Sequence, residues 1–191
     1  MPETSPAGAV RPSPFVTLSL VRELGVLLCL SVMFPFLIHI LPVPETARLG
    51  PRLLPMFYAP LLAVLWGRAP SAFVVALMAP WLNWALTSHP PPLGAVTMTV
   101  ELLGFVCALQ ALVARTGARG FLAVAGYLSA MAVAVVVVAT FPVLINGQAA
   151  LAWAAQSVAT AIPGIVILVL INEIAVRCRP PGASGGGPAA A

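Results

Sequence analysis

One carboxylate in this 191-residue chain stands inside a long apolar stretch: Glu101, within Leu93–Ala114. A glutamate in such a place can accept hydrogen bonds from a ligand, carry a proton or hold a cation. Inserting it into hydrocarbon costs about 2.5–3.5 kcal/mol, so it normally faces a cavity or a partner. Glu101 is therefore the first candidate for a site. The other polar or amphipathic groups in apolar stretches are few: His39, Asn83, Gln110, Gln156, the Asn172–Glu173 pair, and the indoles of Trp81, Trp84 and Trp153. His89 stands in the turn "HPPP". Amides, imidazoles and indoles anchor small heteroaromatic molecules against apolar walls. Each also has a plainer role. Asn83 and Gln156 can bond from helix to helix, the three indoles can form an interfacial belt, and Glu101 can tie helices together.

The composition excludes several kinds of chemistry. The nine basic residues are all Arg and the five acidic ones are all Glu. Without Lys there is no phosphate-gripping P-loop and no Schiff base, and without Asp no aspartyl phosphate. No nucleophile–base pair and no HExxH zinc site is present, so the chain does not read as an enzyme. The three cysteines, Cys29, Cys107 and Cys178, lack CxxC spacing and read as small apolar packing residues. No spacing rule supports a metal at His39 and His89, and no cofactor is expected. Nine arginines scattered singly make no basic patch for nucleic acid and read instead as topology signals.

With 61% hydrophobic and 7% charged residues, the chain cannot cover itself with a water-compatible surface. The expected class is an all-α integral membrane protein. Six apolar stretches follow one another: Leu24–Leu41, Leu53–Gly67, Ala69–Ser88, Leu93–Ala114, Gly120–Ile145 and Leu151–Ile171. They predict six transmembrane helices in a domain over 15–179, between disordered tails at 1–14 and 180–191. The first stretch is too long for a signal peptide and lacks a cleavage site, so it reads as a retained helix. The second covers only about 22 Å at 1.5 Å per residue and must be flanked by protein or thin the bilayer. With the N-terminus inside, Arg11, Arg22, Arg68, Arg115, Arg119, Arg177 and Arg179 are cytoplasmic and only Arg48 and Arg52 fall outside. Both termini are thus expected in the cytoplasm. On this topology His39, Trp81, Asn83, Trp84, His89, Glu101, Trp153 and Gln156 gather towards the outer side, with Glu101 roughly 12 Å along its helix. On the inner side, Gly25-xxx-Cys29 and Ala72-xxx-Ala76 are small-residue seams that serve either packing within the chain or docking of another membrane subunit.

"FPFLIHIL", "GPRLLPMFYAPLLAVLWG", "APWLNWALTSHPPP" and "MTVELLGF" occur in that order between residues 34 and 113, with Pro163–Gly164 in the last stretch. This series resembles the substrate-binding S components of energy-coupling factor (ECF) vitamin transporters. Leu54-Pro55-Met56, Pro80, Pro90, Pro91, Met98, Glu101, Leu102 and Gly104 match the family's motifs. Phe57 stands where a His is expected, Asn83 where Ser is frequent, Ser88-His89 in place of Gly-Met, and Gly25-xxx-Cys29 in place of an Ala-xxx-Ala seam. The resemblance implies a six-helix S-component bundle in a bacterial plasma (inner) membrane, surrounded by lipid. It also implies capture of a vitamin or related micronutrient and partnership with a T component and ATPase subunits. The other class open to the sequence is a small ion- or proton-coupled transporter or channel built on Glu101.

Overall fold

The computed structural model describes residues 14–40, 49–118 and 120–178. The expected tails, apart from Pro14 which begins α1, and Arg48, Arg119 and Arg179 lie outside the described residues. Seven α-helices are present among them: α1 Pro14–Ile40, α2 Leu49–Leu53, α3 Tyr58–Leu65, α4 Ala69–Thr87, α5 Pro92–Thr116, α6 Leu122–Thr140 and α7 Ala150–Arg177. Short 3₁₀ turns at Pro55–Phe57 and Pro142–Ile145 complete the set, and the described residues contain no strand. The long elements are continuous apolar runs punctuated at their ends. Pro70 and Pro92 sit in the first turns of α4 and α5, where a missing N–H costs nothing. Gly67 and Gly117 close α3 and α5 with positive φ, which a residue without Cβ adopts freely.

Five of the helices, α1 and α4–α7, are long and apolar enough to cross a membrane. Around the bundle α1 packs on α4, α4 on α5, α5 on α6 and α6 on α7, with α2 and α3 each touching both α1 and α7. The outward faces are apolar, with Leu37, Leu77, Val136, Ile162 and Leu170 among the exposed side chains. That surface is compatible with a multi-pass membrane protein.

The second apolar stretch is not a single helix. It breaks at Leu54, whose φ of 52° lies in the left-handed region, and restarts through the turn Pro55–Phe57 into the eight-residue α3. Proline is the reason: its ring disfavours the right-handed helical conformation for the residue before it. A leucine in the left-handed region costs about 1–2 kcal/mol, and packing holds it there. The Tyr58 hydroxyl donates to the Leu53 carbonyl across the elbow. On the far side a Cβ on Gly164 of α7 would lie 2.7 Å from the Arg52 carbonyl oxygen and the Leu53 carbonyl carbon. Only glycine lets the two backbones meet. Every residue from Leu54 to Leu65 except Leu62 is buried, so α3 is enclosed by protein.

Phe57, standing where the motif expects His, is the centre of this packing. Its ring meets Phe105 of α5 at 5.2 Å and Tyr127 of α6 at 5.6 Å, both edge to face. It belongs to the core. Ala72 and Ala76 are also fully buried and pack within the chain. That leaves Gly25 and Cys29 as the exposed pair of the two small-residue seams.

At one end of the bundle α1 is tied to α4 by a polar cluster. The Glu23 carboxylate accepts from the Ser71 hydroxyl at 2.6 Å and pairs with the Arg68 guanidinium at 3.3 Å. Ser71 is buried and Arg68 largely exposed. Glu23→Ala therefore costs about 1–3 kcal/mol, because it strands a buried hydroxyl, whereas Arg68→Ala costs less than about 1 kcal/mol. Thermal unfolding of the two variants in detergent checks the order. By the same assay Gly164→Val is expected to cost about 3 kcal/mol or prevent folding, since the atoms it meets are backbone. Gly120→Ala, whose Cβ meets only the movable Glu173 carboxylate, is expected to cost far less.

Candidate functional site

At the end opposite Glu23 and Arg68, α4 turns into α5 through a knot of local hydrogen bonds. The Asn83 amide nitrogen donates to the His89 carbonyl at 2.9 Å, and the Thr87 hydroxyl donates to the Asn83 carbonyl at 2.7 Å. The His89 N–H then donates back to the Thr87 hydroxyl oxygen at 3.2 Å. Ser88 holds a positive φ inside this turn. Asn83 is buried and committed to the turn through its nitrogen, while its side-chain oxygen has no partner among the described residues. The His89 ring is exposed, with Nδ1 at 3.2 Å from the Thr87 carbonyl. Trp81 and Trp84 lie on the exposed face of α4 as an edge-to-face pair, 6.2 Å apart. These two indoles look outward from the bundle.

Glu101 lies on α5, half-buried, within electrostatic reach of the buried Tyr127 hydroxyl on α6. No hydrogen bond or ion pair holds it among the described residues. His39 falls in the last turn of α1, and its side chain lies outside the described residues. The remaining two candidates are on α7. Trp153 is half-buried against the core. Gln156 is exposed, its amide oxygen accepting from the Gln148 amide at 3.4 Å.

Leaving His39 aside, the other seven residues form two groups. Trp81, Asn83, Trp84, His89 and Glu101 belong to α4, α5 and their turn, whereas Trp153 and Gln156 belong to α7. α4 packs on α1, α3 and α5, and α7 on α2, α3 and α6, so the two groups stand on helices separated by α3 and α6. Among the described residues no hydrogen bond joins them.

The α7 group has companions that sequence reasoning passed over. Arg52, Gln156, Ala159, Thr160 and Pro163 line a groove of 360 Å³ between the α2 elbow and α7. The signal was present: residues 156, 159, 160 and 163 are spaced i, i+3, i+4, i+7 and so share one helix face. Arg52 is marked only as a topology signal by the distribution of arginines along the sequence. Its carbonyl, packed at Gly164, lies roughly 21 Å along α7, about half its length. A second groove, of 570 Å³ and almost wholly apolar, runs between α5 and α6 past Gly104, Cys107 and Val133. At the Glu23 end, Asn172 is fully buried, the Gln110 amide oxygen is buried without a partner, and Glu173 lies over Gly120 while pairing with Arg177 at 3.8 Å. The described residues hold no group of three or more His, Cys, Asp or Glu able to bind a metal ion.

With no bond between them, Asn83 and Glu101 should act independently. Asn83→Ala is expected to cost about 1 kcal/mol, the worth of one hydrogen bond that water can partly replace at the exposed turn. Combined with Glu101→Ala in a double-mutant cycle of thermal stability, the coupling should stay below about 0.5 kcal/mol. A larger coupling would place the two side chains in one network.

Comparison with protein-family models, with curated proteins and with solved structures finds no match to this chain.

Proposed function

We propose that this chain is a membrane-embedded substrate-binding subunit of the energy-coupling factor S-component kind, capturing a vitamin or related micronutrient from the outer side of a bacterial inner membrane. In this reading the broken segment Leu53–Gly67 is the sixth, short crossing, shielded by the five long helices. The termini are cytoplasmic, and the α4–α5 turn and the α2 elbow face outward. One observation carries the reading more than any other. Leu54-Pro55-Met56 and Pro163–Gly164, motif elements about 110 residues apart in the resemblance, are in contact, with Gly164 seated directly on the Leu54 elbow. Motifs that pack together support a shared architecture better than motifs that merely share an order.

The chain carries no nucleotide-binding sequence, so energy for release comes from ATPase subunits joined through a T component. Gly25 and Cys29 are the exposed small residues to which that T component docks. A Cβ on Gly25 meets nothing within 4 Å, so the isolated chain accepts bulk there. Glu101 supports a second reading: a carboxylate without a bonded partner in the middle of an apolar helix also suits a proton- or cation-coupled transporter.

Affinity purification of the tagged chain from its native membrane tests the first reading: ATPase and T subunits are expected to accompany it, and Gly25→Leu is expected to lose them while still folding. Purification of the wild type free of any ATPase would sink it. Topology is tested separately with an impermeant maleimide on intact cells. His89→Cys is expected to label and Arg115→Cys to stay protected, and the reverse pattern would invert the orientation. For Glu101, replacement by Ala is expected to weaken ligand or cation binding ten-fold or more and replacement by Gln to weaken it less. Proton-dependent uptake abolished by Glu101→Gln in the absence of partner subunits would favour the coupled transporter instead.

A further inference from the structure

We infer that the groove between α2 and α7 binds an oxyanion, a carboxylate or phosphate group, through Arg52, Gln156 and Thr160. The inference rests on the capture reading above and names the chemical class of what is captured. The groove is rich in donors that no described residue uses. Arg52 is exposed to it, and no carboxylate among the described residues pairs with that guanidinium, unlike those of Arg68 and Arg177. Gln156 gives its amide oxygen to Gln148, which leaves both amide hydrogens to donate. Thr160 is the exception among its kind. Thr87, Thr97, Thr99, Thr116 and Thr140 each return their hydroxyl to the carbonyl four residues back, the usual fate of a helical threonine. Thr160 makes no such bond among the described residues, so its proton is available to the groove.

The same wall offers an acceptor. Pro163 interrupts α7 and has no N–H, so the Ala159 carbonyl loses its partner four residues on. Ala159 and Pro163 both line the groove. Three donors, one of them charged, beside one freed carbonyl suit an acid that also carries a donor of its own, such as an amide or ring N–H. A guanidinium matches the two oxygens of a carboxylate or phosphate side by side. Depth favours a dissolved acid over a phospholipid. The Arg52 backbone touches α7 at about half its length, roughly 21 Å from its start, whereas lipid phosphates lie at the edges of a ~30 Å core.

The test uses the full chain purified in a neutral detergent, with thermal unfolding as readout. Deproteinised yeast extract is split on an anion exchanger into an acidic pool and a neutral-plus-basic pool, and each is titrated. Phosphatidylglycerol and phosphatidylcholine micelles form the lipid arms. The acidic pool is expected to raise the melting temperature. In Arg52→Gln and in Thr160→Val the concentration needed is expected to rise at least ten-fold. Arg52→Lys should recover only part of the effect, because an ammonium cannot present the planar fork. Arg52 is exposed and its contact with Gly164 is through backbone, so Arg52→Gln without ligand should melt with the wild type. If it does not, Thr160→Val carries the comparison. Stabilisation by phosphatidylglycerol alone, lost in Arg52→Gln, keeps the oxyanion site but assigns it to lipid and removes the capture reading. Equal stabilisation of wild type and Arg52→Gln by the neutral pool keeps capture and overturns the oxyanion site. No stabilisation by any pool or lipid overturns the proposal as well.

Discussion

The contact of the Arg52–Leu54 backbone with Gly164 is the constraint on which the rest of the structure depends. It seats a non-helical elbow against a long apolar helix. Only a residue without Cβ permits the approach, and only Pro55 makes the helix break at Leu54. Once the elbow is seated, α3 has one place to go, the interior of the five long helices. There Phe57 engages α5 and α6 through Phe105 and Tyr127. The cost of the left-handed leucine is offset by burying nearly every side chain from Leu54 to Leu65.

Prolines organise the polar surface as well as the core. Pro35, Pro80 and Pro163 all lie inside helices. Each deprives a carbonyl one turn earlier of its donor, at Ser31, Ala76 and Ala159 respectively. The first two stand at buried positions. Ala159 is exposed on the wall of the α2–α7 groove, so its carbonyl can serve a ligand. A helical proline that is only a packing feature in α1 and α4 thus becomes part of the proposed recognition surface in α7.

The two ends of the bundle spend their polar groups differently. One end joins helices: Glu23 binds Ser71 and Arg68, and Glu173 lies over Gly120 beside Arg177. At the other end the α4–α5 turn bonds mainly to itself, through Asn83, Thr87 and His89. Deeper in the bundle, Arg52, Glu101 and Thr160 carry groups that no described residue bonds.

Composition and apolar run length alone determined the helical class, the positions of the five long helices and the shortness of the second stretch, because a run of twenty uncharged residues has few alternatives. Glu101 was also legible, since a lone carboxylate in an apolar run stands out without any coordinates. What the sequence could not decide is which side chains meet. Helical spacing alone put Phe57 at a motif position but could not say that it faces α5 and α6. It assigned Ala72 and Ala76 a seam but not a partner, and they prove to pack within the chain. By sequence Arg52 is only a topology signal on the outer side, because linear distance says nothing about what an elbow packs against. Only the tertiary structure, through the glycine at 164 that lets two backbones touch, brought Arg52 beside Gln156 and Thr160. Local sequence sets the conformation of an element. Contacts between elements depend on the shape of both partners at once, and no single stretch of the chain contains that information.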